Sequence, residues 1–157
     1  AYVISGASDL AQLAANVNSG ISYENKYFKQ TVNIHLNNHD WMPIGTTTNP
    51  LRANYDGGGY EIIDLKANVT QQNGNSGLFG YADGNIVIKN IHVSGDVKSK
   101  YKAGGIMRRH VKYEATTTGV ISGCSFKGSV EASYAGGGIC GEAEGKTIIV
   151  SCAIMVR

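Results

Sequence analysis

Long apolar runs and charge are both scarce in this 157-residue sequence, and each shortage removes a class of protein. No apolar stretch approaches the roughly 20 residues that a helix needs to cross a bilayer, so membrane insertion by this segment is not expected. The N-terminus carries neither a basic segment nor a signal-type apolar stretch. It opens at Ala1-Tyr2-Val3 without an initiator Met, and is read as part of a longer, processed chain. Charged residues make up 17%, against roughly 25% in an average domain. Fourteen basic against twelve acidic residues leave a formal charge of +2, too small to imply a nucleic-acid partner. The three cysteines, Cys124, Cys140 and Cys152, form neither a Cys-x-x-Cys pair nor a dense disulfide framework. They are too few to suggest a metal centre, and neither metal nor cofactor is expected.

Glycine, by contrast, is abundant: 21 residues, about twice the usual share of about 7%, which fits a turn-rich β protein. One segment alone reads as a helix. Between Ser8 and Gly20, apolar Leu10, Leu13, Ala14 and Val17 form a single stripe. Ser8 is the expected N-cap, Asp9 complements the helix N-terminus and Gly20 suits the residue just past the end.

Beyond Tyr27 the chain reads as short strands broken by glycine and asparagine, and the strands are versions of one another. Ile88-Lys89-Asn90-Ile91-His92-Val93, Ile121-Ser122-Gly123-Cys124-Ser125-Phe126 and Ile149-Val150-Ser151-Cys152-Ala153-Ile154 each place apolar residues three and five positions after the first. Each is preceded by a glycine-flanked element: Gly77-Leu78-Phe79-Gly80, Gly105-Ile106-Met107 and Gly138-Ile139-Cys140-Gly141. Extended backwards, the register aligns Leu36, Leu65, Ile91, Cys124 and Cys152, at spacings of 29, 26, 33 and 28 residues. Such a period marks a solenoid. The units hold strands and no helix, so the expected fold is an all-β, right-handed parallel β-helix with an N-terminal capping α-helix. Residues 1–26 form the cap and 27–157 the imperfect coils of a single domain. Inward columns are expected at Leu65, Ile91, Cys124, Cys152 and at Ala67, Val93, Phe126, Ile154, with reduced cysteines. The last strand, Ile154-Met155-Val156-Arg157, has no cap after it, so further repeats or end-to-end self-association are expected to cover it.

Several ordered blocks also carry a family resemblance. Ile4-Ser5, Asp9-Leu10, Val17-Asn18-Ser19-Gly20, Trp41, Pro43-Ile44-Gly45 and Tyr55-Asp56-Gly57-Gly58-Gly59-Tyr60 resemble the opening of bacterial cell-surface proteins with GLUG motifs. Gly77-Leu78-Phe79-Gly80-Tyr81 with Ile88-Lys89-Asn90-Ile91, and Gly104-Gly105-Ile106 with Ile121-Ser122-Gly123-Cys124, are similar to the repeat of adhesins and of the N-terminal region of IgA-specific metallopeptidases. The resemblance implies a β-helix on a secreted or cell-surface protein, one that meets host glycan or protein or serves as a spacer. It implies no chemistry, because the zinc domain of those peptidases carries a His-Glu-x-x-His helix that is missing here. Met107-Arg108-Arg109-His110 departs from the small residues usual after Gly-Gly-Ile, and Tyr113 to Thr118 lengthen the third repeat.

The residues offer little catalytic material. His39-Asp40 lacks a third group to make a catalytic set, and His35 and His92 alternate with apolar neighbours, as outward residues do. Asp56 before three glycines lacks the Lys-Ser/Thr and helix of a phosphate loop, and reads as a tight turn. A polysaccharide lyase or glycosidase, which many β-helices are, remains the alternative by fold analogy alone. Its mark would be two carboxyl groups converging in a groove, with Asp64, Asp83, Asp96, Glu142 and Glu144 as candidates. Weak ligand-binding candidates are Trp41, where packing is favoured over sugar stacking, and the cations Lys98, Lys100, Lys102, Arg108, Arg109, His110 and Lys112. The seven lie within fifteen positions, and Asp and Glu are absent from 97 to 113. Such a cluster suits an anionic glycan or acidic partner; a plain solvated turn is the competing reading. Tyrosines spread through the turns, among them Tyr101 and Tyr134, add stacking surface.

Overall fold

A computed structural model describes residues 1–72, 74–111, 116–144 and 146–156. In chain order the elements of the first coils are β1 (Tyr2–Ile4), α1 (Ala7–Asn18), β2 (Tyr27–Gln30), β3 (Ile34–His35), β4 (Asn54–Asp56) and β5 (Glu61–Val69). They continue as β6 (Asn75–Ser76), β7 (Phe79–Asp83), β8 (Ile86–Lys89), β9 (His92–Ser99), β10 (Lys102–Gly104) and β11 (Met107–Val111). The last are β12 (Thr118–Ser122), β13 (Ser125–Ala132), β14 (Ala135–Gly137), β15 (Cys140–Ala143), β16 (Lys146–Val150) and β17 (Ala153–Val156).

Every pairing is parallel and joins strands one coil apart, so the chain winds into a β-solenoid of about five turns. One wall is the sheet β1-β2-β4-β8-β12-β16, and a second is β3-β5-β9-β13-β17. Two narrower sheets, β6-β10-β14 and β7-β11-β15, close the coil. Alternation along each strand sends every second residue inward. Phe28, Tyr55, Ile88 and Ile121 stack in the first wall, and Ile34, Ile62, Val93 and Phe126 in the second, all buried. Tyr55 puts a hydroxyl into this interior and donates it to Gln30 Oε1 at 3.2 Å, while Gln30 Nε2 donates to the Val32 and Glu61 carbonyls. Both polar groups are thereby satisfied in a dry core.

The corner between the two long walls shows why the repeat keeps its apolar spacing. A single residue in left-handed conformation turns the chain there: Asn90 (φ 55), Gly123 (φ 61) and Ser151 (φ 52) in successive coils. Asparagine and glycine are the residues that tolerate this region best. The corners lock in a ladder, Asn90 N–H donating to Ser122 O and Gly123 N–H to Val150 O.

The backward register needs correction. Val93, Phe126 and Ile154 do align, but Ile62 and Ile34 lie beneath them, where Ala67 was expected. Ala67 pairs with Val97, and Leu65 with Gly95. Two local irregularities cause the slip. The four-residue turn Gly57 to Tyr60 replaces the short corner of later coils, and β5 bulges between Ile62 and Leu65, where Asp64 takes φ 62. A bulge adds one residue and so flips the inward set.

The helix is present and begins two residues earlier than expected. Gly6 is the N-cap, without a side-chain cap, and Ser8 lies inside the first turn. Asp9 reaches back past the N-cap to accept from Ser5 N–H and Ser5 Oγ, each at 2.9 Å. Leu10, Leu13, Ala14 and Val17 are buried. Asn18 ties the helix to the first coil, donating to Pro43 O and accepting from Gly45 N–H. This covers the first coil's open apolar end, as a cap must. In the last coil Ile148, Ile149, Val150, Ile154 and Met155 are exposed. No helix among the described residues is long and apolar enough to cross a membrane.

Candidate binding surface

The cations that crowd one stretch of sequence are divided by the fold. Strand alternation and the coil corners send them to different environments, and the carboxylates missing from that stretch arrive from the following coil. Arg109 on β11 pairs in register with Glu142 on β15, and Lys98 on β9 with Glu131 on β13, at 3.2 Å between charged groups. An absence of acid along the chain is thus no absence in space.

Glu142 is the centre of the arrangement. Its Oε2 lies 2.8 Å from Lys102 Nζ, 3.4 Å from Arg108 Nη1 and 3.6 Å from Arg109 Nε. Arg109 Nη2 reaches Glu144 Oε1 at 2.8 Å, and the same guanidinium sits 5.4 Å from the centroid of the Tyr81 ring. The hydrogen bond from Lys102, aided by the charges of Arg109 and Lys102, holds the Glu142 carboxyl below its usual range, against a smaller opposing effect of burial. Burial lowers Arg108, and the attraction of Glu142 only partly offsets it. Arg109 is also penalised by burial, yet Tyr81, Glu142 and Glu144 together hold it above its usual value. The two arginines thus differ by position: Arg108 is 3% exposed, while Arg109 is open enough to collect two carboxylates.

Beside this network stands an aromatic ledge. Tyr101 and Tyr134 stack with centroids 5.1 Å apart and planes at 28°. Lys102 Nζ lies 5.0 Å from the first ring and 5.3 Å from the second, within cation–π range. Tyr134 is 72% exposed, so its outer face is free for a partner. The ledge and the charges form one continuous surface drawn from three successive coils. The pairs Tyr101 with Tyr134, Lys98 with Glu131 and Arg109 with Glu142 are each 33 residues apart. That is also the spacing of Ile91 and Cys124, so the repeat offset, applied to polar residues, was the signal that would have found them.

The remaining candidates separate clearly. Trp41 is half-buried against the core and donates Nε1–H to Leu78 O at 3.0 Å, which makes it a packing residue. It also borders an open hollow of about 540 Å³ with Lys66 and Asn68. His110 is corrected from surface cation to interior residue: it is 1% exposed, with Nε2–H donating to Gly84 O at 3.1 Å and Nδ1 2.8 Å from the Thr147 hydroxyl. The alternation of β11 turns it inward above Ala82. Lys98 and Lys100 are exposed. Lys112, with the start of the inserted stretch, lies outside the described residues. His35 and His39 are exposed, and His92 contacts Ser125 Oγ at 2.7 Å.

The cysteines are free. Burial pushes the Cys124 thiol up to about 11 and Cys140 upward as well, so both are held as packing thiols. No cluster of three or more His, Cys, Asp or Glu among the described residues is placed to hold a metal ion. No family model matches the chain, and neither the curated proteins nor the solved structures yielded a match.

Proposed function

We propose that this domain is a non-catalytic recognition module of a bacterial surface or secreted protein, and that it holds a glycan against the Tyr101–Tyr134 ledge. The exposed, stacked tyrosine pair carries this reading. The face of an aromatic ring is negative and its edge positive, so the polarised C–H groups on one face of a sugar ring pack onto it without losing their hydroxyls to an apolar site. Lys102, Arg109 and Glu142 stand beside the ledge as donors and acceptors for those hydroxyls. A solenoid suits an extended ligand, because equivalent side chains recur at about 4.8 Å along its axis.

The hydrolytic alternative is less well supported. Glu142 and Glu144 do converge, through Arg109, but a glycosidase needs one carboxyl kept protonated as general acid. Glu142 is instead held ionised by Lys102 and the arginines. The GLUG-type resemblance agrees with a recognition role and a surface location. The test is a polysaccharide binding screen with the folded chain and with Tyr134→Ala. Binding by the parent that falls at least about tenfold in the variant, near the 1–1.5 kcal/mol of one stacking contact, is expected. Equal binding by both proteins, or none by either, would overturn the assignment.

A further inference from the structure

We infer that the ledge selects an acidic saccharide, a sugar polymer bearing carboxylates, with its acid group held by the charge of Arg108 and Arg109. This rests on the glycan reading above and adds the class of sugar.

The first observation is a count of charges in contact. Lys102, Arg108 and Arg109 supply three positive charges to the network, and Glu142 and Glu144 supply two negative ones. Among the described residues the cluster therefore carries one positive charge more than its carboxylates supply. All three cations crowd the same oxygen, Glu142 Oε2, and the two lone pairs of one oxygen cannot accept from three donors at once.

The second observation is independent of that count. Arg108 is buried, yet its Nε and Nη1 have no hydrogen-bond partner, and Arg109 Nε shares that condition. A guanidinium stays charged in a protein, and burying N–H donors without hydrogen-bond partners is costly even where one carboxylate stands near the charge. At the equivalent position of the neighbouring coils stand Gly80 and Gly141, which flank the paired residues Phe79, Met107 and Cys140. The coil geometry therefore has no need of a long cation here. Beneath a water-poor surface its field is weakly screened, and it reaches the ledge through the contiguous Tyr101, Lys102 and Glu142 contacts. Planar, bidentate donors match a carboxylate better than they match neutral hydroxyls.

An anion entering beside Tyr134 would share Lys102 and Arg109 with Glu142 and neutralise the excess. Neutral sugars would gain the stacking contact alone. The solvated-turn reading of these cations predicts the opposite for Arg108, since a charge kept for solubility has to be exposed.

The experiment uses the whole chain and three probes, polygalacturonate, alginate and hyaluronan, each beside its own methyl ester, in which the sugar backbone is kept and the charge removed. Binding is followed by calorimetry at low and at raised salt. The parent is expected to bind at least one acid form about tenfold or more tightly than its ester, the equivalent of about 1.4 kcal/mol, with the difference shrinking in salt. Arg108→Met, checked for folding by its thermal transition, should bring acid and ester to the same affinity, whereas Tyr134→Ala should weaken both. Acid and ester bound equally by the parent would overturn the acidic class and leave a neutral-glycan site standing. An acid preference that survives in Arg108→Met would overturn the role of that arginine. Failure of every acid and every neutral polymer to bind a folded sample would sink the glycan reading itself, and this inference with it.

Discussion

Replacing Glu142 by Gln removes the one carboxylate on which Lys102, Arg108 and Arg109 converge, and its cost follows from where those groups sit. Breaking a buried ion pair costs about 3–5 kcal/mol, and an exposed one about 0–1 kcal/mol. The Glu142 side chain is 28% exposed and that of Arg108 4%, so the effect falls between, at about 2 kcal/mol. For a chain of this length that lowers Tm by roughly 4–8 °C. Arg108→Met tests the same physics from the other side. It deletes a buried charge with two unsatisfied nitrogens and leaves an apolar stem of similar volume, so stability should be unchanged or raised by about 1 kcal/mol. In the double variant the loss from Glu142→Gln should shrink by about 1 kcal/mol, because the orphaned cation is gone. Urea is the denaturant of choice, since guanidinium chloride would screen the charges being measured. Arg108→Met destabilised as much as Glu142→Gln, or two losses that simply add, would refute this coupling. A stabilised Arg108→Met that has also lost acidic-sugar binding would show stability given up for recognition.

Because Glu142 has its carboxyl pKa lowered from 4.5 by folding, it stabilises the native state above the ordinary carboxylate range, and that contribution fades as pH falls through the lowered value. Urea midpoints taken from about pH 6 to pH 3 should therefore drop more steeply for the parent than for Glu142→Gln, and parallel curves would refute the assignment. Phe126→Ala, which empties the second wall between Val93 and Ile154, should cost about 3–5 kcal/mol; a loss under about 1 kcal/mol by urea titration would mean the column is not continuous. Gly105→Ala places a Cβ 2.1 Å from Gly138 O and 2.6 Å from the Phe126 ring, so overpacking should cost at least about 1–3 kcal/mol, and a neutral thermal shift would contradict the tight coil contact.

The sequence by itself determined the solenoid. Apolar residues three and five positions after one another, separated by Asn90, Gly123 and Ser151, can be buried only if each unit turns at that corner and stacks on the next. The amphipathic stripe from Leu10 to Val17 likewise had one use, as a cover for the first coil. What the tertiary structure alone decided was the register of the early coils and the fate of the charges. The four-residue turn Gly57 to Tyr60, together with the bulge at Asp64, moved Ala67 from beneath Val93 to beneath Val97, and no local pattern announces a one-residue insertion in a strand. His110 looked like one more cation until strand alternation turned it inward. Arg108, Arg109 and Lys102 looked unopposed because their carboxylates lie a full coil away in sequence, beside them in space only because parallel strands bring position 109 against 142. In a solenoid the nearest neighbours of a side chain are one repeat distant, so composition along the chain reports the core faithfully and the surface electrostatics hardly at all.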